Sequence, residues 1–67
     1  MEVTLNGKKT ELPEAISNLT QLLTHYKLED KVVIVEVNGE IIDKSKHEDR
    51  SIEAGDQIEL VHFVGGG

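Results

Sequence analysis

The spacing of apolar positions along the chain changes from two to between three and four, then back to two. Glu2-Val3-Thr4-Leu5 alternates polar and apolar, the pattern of a strand with one buried face. Asn6-Gly7 follows, a hairpin signal because both residue types tolerate positive φ. A two-residue turn sets Leu5 opposite Lys8 and Val3 opposite Thr10 on a returning strand, Lys8 to Leu12. Val3 and Leu5 then share the face turned to the core. Pro13 ends this pattern. Beyond it Ile16, Leu19, Leu22, Leu23 and Tyr26 recur at helical spacing and line up one apolar face. Asn18 is the expected N-cap and Gln21 its capping-box partner, so the predicted helix runs from about Asn18 to Tyr26 or Lys27.

The second half returns to strands. Val32-Val33-Ile34-Val35-Glu36-Val37 is β-branched and apolar on both faces for part of its length, as in a central strand. Asn38-Gly39 repeats the hairpin signal, and Glu40-Ile41-Ile42 returns. Asp43 to Arg50 is mostly charged and reads as a surface loop with room for one helical turn. Ile52 dips back as a core anchor, Glu53 to Asp56 forms a turn, and Gln57 to Val64 is the last strand. Two hairpins therefore flank one helix. The helix must bury its stripe, and a sheet face is the only surface available. The predicted class is α+β, a mixed four- to five-stranded sheet with one helix packed across it. This is the β-grasp, or ubiquitin-like, arrangement, with the first and last strands adjacent and parallel. The expected organisation is one domain, residues 1–64, and a flexible glycine tail, 65–67.

Strand alternation also assigns the outer face. If Ile58 and Leu60 point to the helix, Val61 and Phe63 point away from it. Ile34 and Ile41 share the face opposite Val35 and Ile42. The expected result is an exposed apolar row of Ile34, Ile41, Val61 and Phe63, a candidate partner-docking surface. A one-residue slip in register would bury the row instead.

The chain ends on Gly65-Gly66-Gly67. Such an end packs no side chain, is narrow, and carries a free carboxylate that can thread into another protein's active site. Three extended residues reach roughly 10 Å. Composition narrows the chemistry further. The chain has 67 residues, no Cys and a net charge of −6. Without Cys there is no disulfide, no thiolate nucleophile and no Cys-based metal site. With no Lys/Arg-rich block, nucleic acid is not an expected partner; a partner with a basic docking surface is. The longest apolar run, Val32 to Val35, is too short for a membrane span. With no signal pattern at the start, the expected location is the cytoplasm. His25, His47 and His62 share no metal-ligand spacing and are expected at the surface or an edge, so no metal is expected. Ser17, Ser45 and Ser51 lie in no nucleophile motif. Nothing in the folded body reads as a catalytic group, and Gly67 is the candidate reactive end.

The segment from Gly55 to Gly67, GDQIELVHFVGGG, resembles the ThiS family, the sulfur carriers of thiamine biosynthesis. So do the Leu22-Leu23 helix and the hairpin from Val35 to Ile42. The resemblance implies that the Gly67 carboxylate is adenylated by an enzyme related to ubiquitin-activating enzymes (ThiF type), which uses ATP and magnesium. It implies that persulfide sulfur from a cysteine desulfurase converts the end to a thiocarboxylate. Thiazole synthase (ThiG type) would then take the sulfur into the thiazole ring. On this reading the chain is a carrier, not an enzyme, and binds no cofactor. That family usually needs only the final Gly-Gly, so Gly65 is a spacer beyond the pattern. Three other readings share the ending. They are a molybdopterin synthase small subunit, a ubiquitin-like modifier joined to lysine through Gly67, and an interaction module whose glycines do no chemistry.

Overall fold

The computed structural model describes residues 1–63. Its elements run β1 (Glu2–Leu5), β2 (Lys8–Glu11), α1 (Leu19–His25), β3 (Val33–Val37), β4 (Glu40–Ile42), a 3-10 turn (Lys44–Lys46) and β5 (Gln57–His62). The five strands form one sheet in the order β2-β1-β5-β3-β4. β1 and β5 are parallel, and the other neighbours are antiparallel. Two hairpins on either side of a last strand, with one helix between them in sequence, make the β-grasp arrangement.

Each hairpin closes on a two-residue turn with both φ positive: 49° and 82° at Asn6 and Gly7, 52° and 85° at Asn38 and Gly39. The first turn places Leu5 opposite Lys8 and Val3 opposite Thr10, the register expected from turn length. Asn18 caps the helix, its Oδ1 accepting the Gln21 N–H at 2.8 Å while Gln21 Oε1 accepts the Asn18 N–H at 3.3 Å. Tyr26 is the C-cap. The stripe is narrower than its spacing suggests. Leu19 and Leu22 are buried and Leu23 partly so, but Tyr26 is exposed. It stacks edge-on against His25 at a centroid distance of 5.0 Å, outside the core. Ile16 is buried from the loop before the helix.

The core is one layer between the helix and one sheet face, made by Val3, Leu12, Ile16, Leu19, Leu22, Val35, Val37, Ile52 and Ile58. The other sheet face carries no layer. β3 is thus covered on one side only, and the central position belongs to β5. The apolar content of β3 on both faces does not signal burial on both faces.

β5 is held by an arrangement that sequence spacing does not show. Both turn asparagines hold it through their side-chain oxygens, which accept β5 backbone N–H groups. Asn6 Oδ1 accepts the Leu60 N–H at 2.8 Å, and Asn38 Oδ1 accepts the Gln57 N–H at 2.9 Å. The first continues the ladder where β1 ends against β5. Buried Asp56 completes the second, accepting from Asn38 Nδ2 at 3.0 Å and from the Glu53 N–H at 2.9 Å. A buried carboxylate needs such donors to offset lost hydration.

His47 corrects a sequence expectation. It is buried, 5% exposed, although it lies in a charged segment. Its Nε2 is 3.0 Å from the Ile42 carbonyl oxygen, so Nε2 carries the proton and donates. The ring pins the loop after β4 to the sheet. His25 and His62 are exposed, as expected.

Candidate functional site

The uncovered sheet face meets the end of β5, and the register defines that face residue by residue. Ile34 is directly opposite Val61, Glu36 opposite Glu59, and Glu36 also opposite Ile41. Residues directly opposite in a ladder share a face. Ile34, Ile41 and Val61 therefore stand together on the side away from the helix, and Phe63 follows Val61 by two. All are open to solvent, at 41% for Ile34, 67% for Ile41, 49% for Val61 and 53% for Phe63. On the opposite face Val35 and Ile58 are buried and Leu60 packs against the core. The four sequence-predicted residues are thus brought to one face with the register that alternation gives.

Two further features join this face. Val32 lies before β3, and its carbonyl accepts the Phe63 N–H at 3.3 Å, which extends the β3–β5 ladder by one pair. It is exposed and shares the alternation of Ile34, so it continues the apolar row. Sequence pattern alone placed it inside a strand and did not single it out. Glu36 and Glu59 face each other beside Ile34 and Val61. Like charges directly opposite destabilise a ladder, and among the described residues neither carboxylate has a salt-bridge partner. The result is an apolar strip with an acidic border.

Gly65, Gly66 and Gly67, the sequence-predicted reactive tail, lie outside the described residues, as does Val64 at the predicted end of the last strand. They follow Phe63 in the chain, and Phe63 is tied to Val32 at the border of the strip. Among the described residues no group of three or more His, Cys, Asp or Glu side chains comes together as a metal site. One carboxyl is perturbed. Ser45 donates to Asp43 through its hydroxyl and its N–H, and these bonds hold the Asp43 carboxyl below its ordinary value. This caps the 3-10 turn and lies away from the tail in sequence.

The fold and the exposed face define a single-helix, ubiquitin-like domain of the β-grasp class. A crystal structure of the thiamine biosynthesis protein (ThiS) from Geobacter metallireducens superposes with a TM-score of 0.82 at 36% identity, covering 100% of both chains. The solution structure of a thiamine biosynthesis protein from the same organism gives 0.83, also at 36% identity, covering 100% of this chain and 88% of that one. The ThiS family model matches residues 3–67. The chain belongs to the ThiS family. The sulfur carrier protein ThiS of Bacillus subtilis is 46% identical over 63 residues, 94% of this chain and 96% of that one. A thiazole synthase of Paramagnetospirillum magneticum is 31% identical over 67 residues, all of this chain but only 20% of the synthase.

Proposed function

We propose that this chain is the protein-bound sulfur carrier of thiamine biosynthesis and that its Gly67 carboxylate bears the sulfur. The observation that carries the reading is membership of the ThiS family over residues 3–67, a match that runs through the terminal glycines. The chemistry suits the residues. A carboxylate oxygen is a poor leaving group, so the end must first be activated. Attack of the carboxylate on ATP yields an acyl adenylate and pyrophosphate, with magnesium and the nucleotide held by an adenylyltransferase. A persulfide sulfur then attacks the carbonyl and expels AMP. Cleavage of the resulting acyl persulfide by a thiol leaves the thiocarboxylate and a disulfide. Glycine beside the reacting carbonyl leaves the approach open, and the enzymes supply the stabilisation of developing charge. The chain supplies a substrate end and acts as carrier, not enzyme.

The partners follow from this reading. They are an adenylyltransferase of the ubiquitin-activating type, a persulfide source fed by a cysteine desulfurase, and thiazole synthase. Similarity of the whole chain to a fifth of a thiazole synthase supports the last, because carrier and synthase then share one polypeptide. The strip of Ile34, Ile41, Val61 and Phe63 is the proposed docking face. No helix among the described residues is long and apolar enough to cross a membrane, and we place the reaction in the cytoplasm.

The test is intact mass after incubation with ATP, an activating enzyme of this type and a persulfide source. Exchange of one oxygen for sulfur should appear and map to Gly67. Adding one residue after Gly67, or deleting Gly66 and Gly67, should abolish loading and leave the fold unchanged. The deletion shortens the reach by about 7 Å, and sites built on positioning do not tolerate such displacement. A sulfur-loaded product from either altered chain would refute the assignment.

A further inference from the structure

The two edges of the sheet are built differently, and the difference can be read from the hydrogen-bond register. Asn38 N–H bonds to the Gln57 carbonyl at 2.7 Å, and Phe63 N–H to the Val32 carbonyl at 3.3 Å. Both lie in the register of Ile34 with Val61. The backbone groups of the even-numbered residues from Val32 to Asn38 therefore turn to β5. Backbone groups alternate sides along a strand, so those of Val35 and Val37 turn to β4, opposite Ile42 and Glu40. Ile41, between these pairs, directs its N–H and C=O away from β3 to the open edge. Among the described residues no turn or side-chain hydrogen bond reaches either group.

On the far edge the same accounting gives a different result. Leu12 N–H bonds to the Met1 carbonyl at 2.8 Å in the register of Val3 with Thr10. The outward positions of β2 are therefore Lys9 and Glu11, both charged, a common protection of an edge against pairing. At β4 the outward position is apolar Ile41, the second most exposed large hydrophobic residue. A shallow groove of about 420 Å³ runs beside it, with Ile41 and Ile42 on one side and Lys46, Asp49 and Arg50 on the other. β4 is only three residues long. That length limits indiscriminate pairing and leaves one position where a donor and an acceptor are offered together.

We propose that β4 accepts an extended segment of thiazole synthase as a further, antiparallel strand of the sheet. The identity of the occupant rests on the carrier–synthase reading above, since a synthase relative carries a counterpart of this chain within its own length. The segment pairs its N–H and C=O with those of Ile41 and sets an apolar side chain across from it. The neighbouring register positions face Ile42 and Glu40. They call for an apolar residue and a Lys or Arg. Charge sets the chemistry of the segment, which should be basic beside its apolar residue. Glu40 precedes Ile41, Asp43 follows it by two and is held as the carboxylate by Ser45, and the chain carries −6 overall. A second copy fits worse. Self-pairing through β4 would place Ile41 against Ile41 and bring two chains of −6 together without a cation across from Glu40.

The experiment is amide hydrogen exchange by NMR on the ¹⁵N-labelled chain, alone and with excess unlabelled thiazole synthase. Exchange at the Ile41 amide should slow by about tenfold or more, the order of one added hydrogen bond in a formed strand pair. The outward amides Lys9 and Glu11 should be unchanged. Ile41→Pro, which removes the donor, should bind the synthase about tenfold more weakly than Ile41→Val, which trims the same side chain but keeps the donor; equal binding of the two overturns strand addition. Retained shifts at Val3, Leu22 and Ile58 establish that the proline chain is folded, and the wild-type exchange result stands without it. Binding that shifts Val61 and Phe63 but leaves Ile41 N–H unprotected overturns strand addition and leaves docking through the sheet face standing. Protection that grows with carrier concentration and needs no synthase overturns it in favour of a second copy. Absence of any binding overturns both this proposal and the carrier–synthase pairing.

Discussion

Phe63→Ala separates a docking residue from a core residue in a single substitution. The ring is 53% exposed, so roughly half its surface is already in water. A fully buried aromatic covers about 150–250 Å². Half of that, at about 25 cal/mol per Å², bounds the loss of stability at about 3 kcal/mol, less what the alanine retains. A chain of this length has a total stability of roughly 3–10 kcal/mol, so the fold survives with a melting temperature lowered by some 5–15 °C. Leu22→Ala is the internal control. Leu22 is 0% exposed beneath the helix, and its truncation should cost about 2–5 kcal/mol. Binding should respond in the opposite order. If Phe63 is an anchor of the docking face, its loss weakens binding to the activating enzyme or the synthase by about 1–3 kcal/mol. That is about five- to 150-fold in Kd. Thermal melts by circular dichroism and titration calorimetry on the same preparations measure both. If Phe63→Ala melts like Leu22→Ala and binds normally per folded molecule, the assignment of faces on β5 is wrong.

Three other substitutions or conditions test separate features. Glu36→Gln or Glu59→Gln removes one of two facing carboxylates and should stabilise the fold by about 0.2–1 kcal/mol at low salt, with the gain shrinking in high salt; urea unfolding at both ionic strengths checks it, and a loss of stability would show that the repulsion is absent. Asn18→Ala removes the side-chain oxygen that accepts the Gln21 N–H, while the residue-18 backbone N–H to Gln21 remains, and should cost about 0.5–2 kcal/mol, measured by the same unfolding curves. The Asp43 carboxyl, lowered by the Ser45 hydroxyl and N–H, should titrate below the ordinary aspartate range. Because the folded value is depressed, the turn's support is present above the ordinary value and is lost as pH falls through the folded one. NMR titration of Asp43 and the Ser45 amide follows this, and a midpoint at or above the ordinary value would contradict it.

The sequence was most legible where local chemistry has few solutions. Asn-Gly pairs between alternating segments permit little besides tight hairpins, and the register of β1 on β2 follows from the turn. The Asn18–Gln21 box fixes the start of the helix in the same way. Alternation from the buried anchors Val35 and Ile58 was enough to turn Ile34, Ile41, Val61 and Phe63 outward. What was not legible depends on contacts between distant segments. His47 looks like a loop residue in a run of charges; its burial depends on the Ile42 carbonyl lying within reach once β4 is formed. Asp56 reads as a turn acid, and its buried bonds to Asn38 and Glu53 need β3 and β5 to be aligned first. Tyr26 satisfies the helical spacing but falls at the cap, past the end of the covered stripe. The terminal glycines are the reverse case: the ending and its family resemblance suggest a role for Gly67, and that residue lies beyond the described fold.

β5 is the last strand in sequence and the middle one in space. During synthesis each hairpin can form as soon as its own two strands are available, since hairpin closure is a local and rapid event. Neither hairpin touches the other through the sheet until β5 lies between them. The proposed docking strip draws on β3, β4 and β5 together, so it does not exist on a partly made or misfolded chain. An enzyme that docks on this strip before taking up the tail therefore inspects the whole fold before spending ATP. If docking on the strip precedes uptake of the tail, a peptide bearing the same three glycines without the sheet should pass unnoticed, because the strand order makes the strip a property of the finished fold.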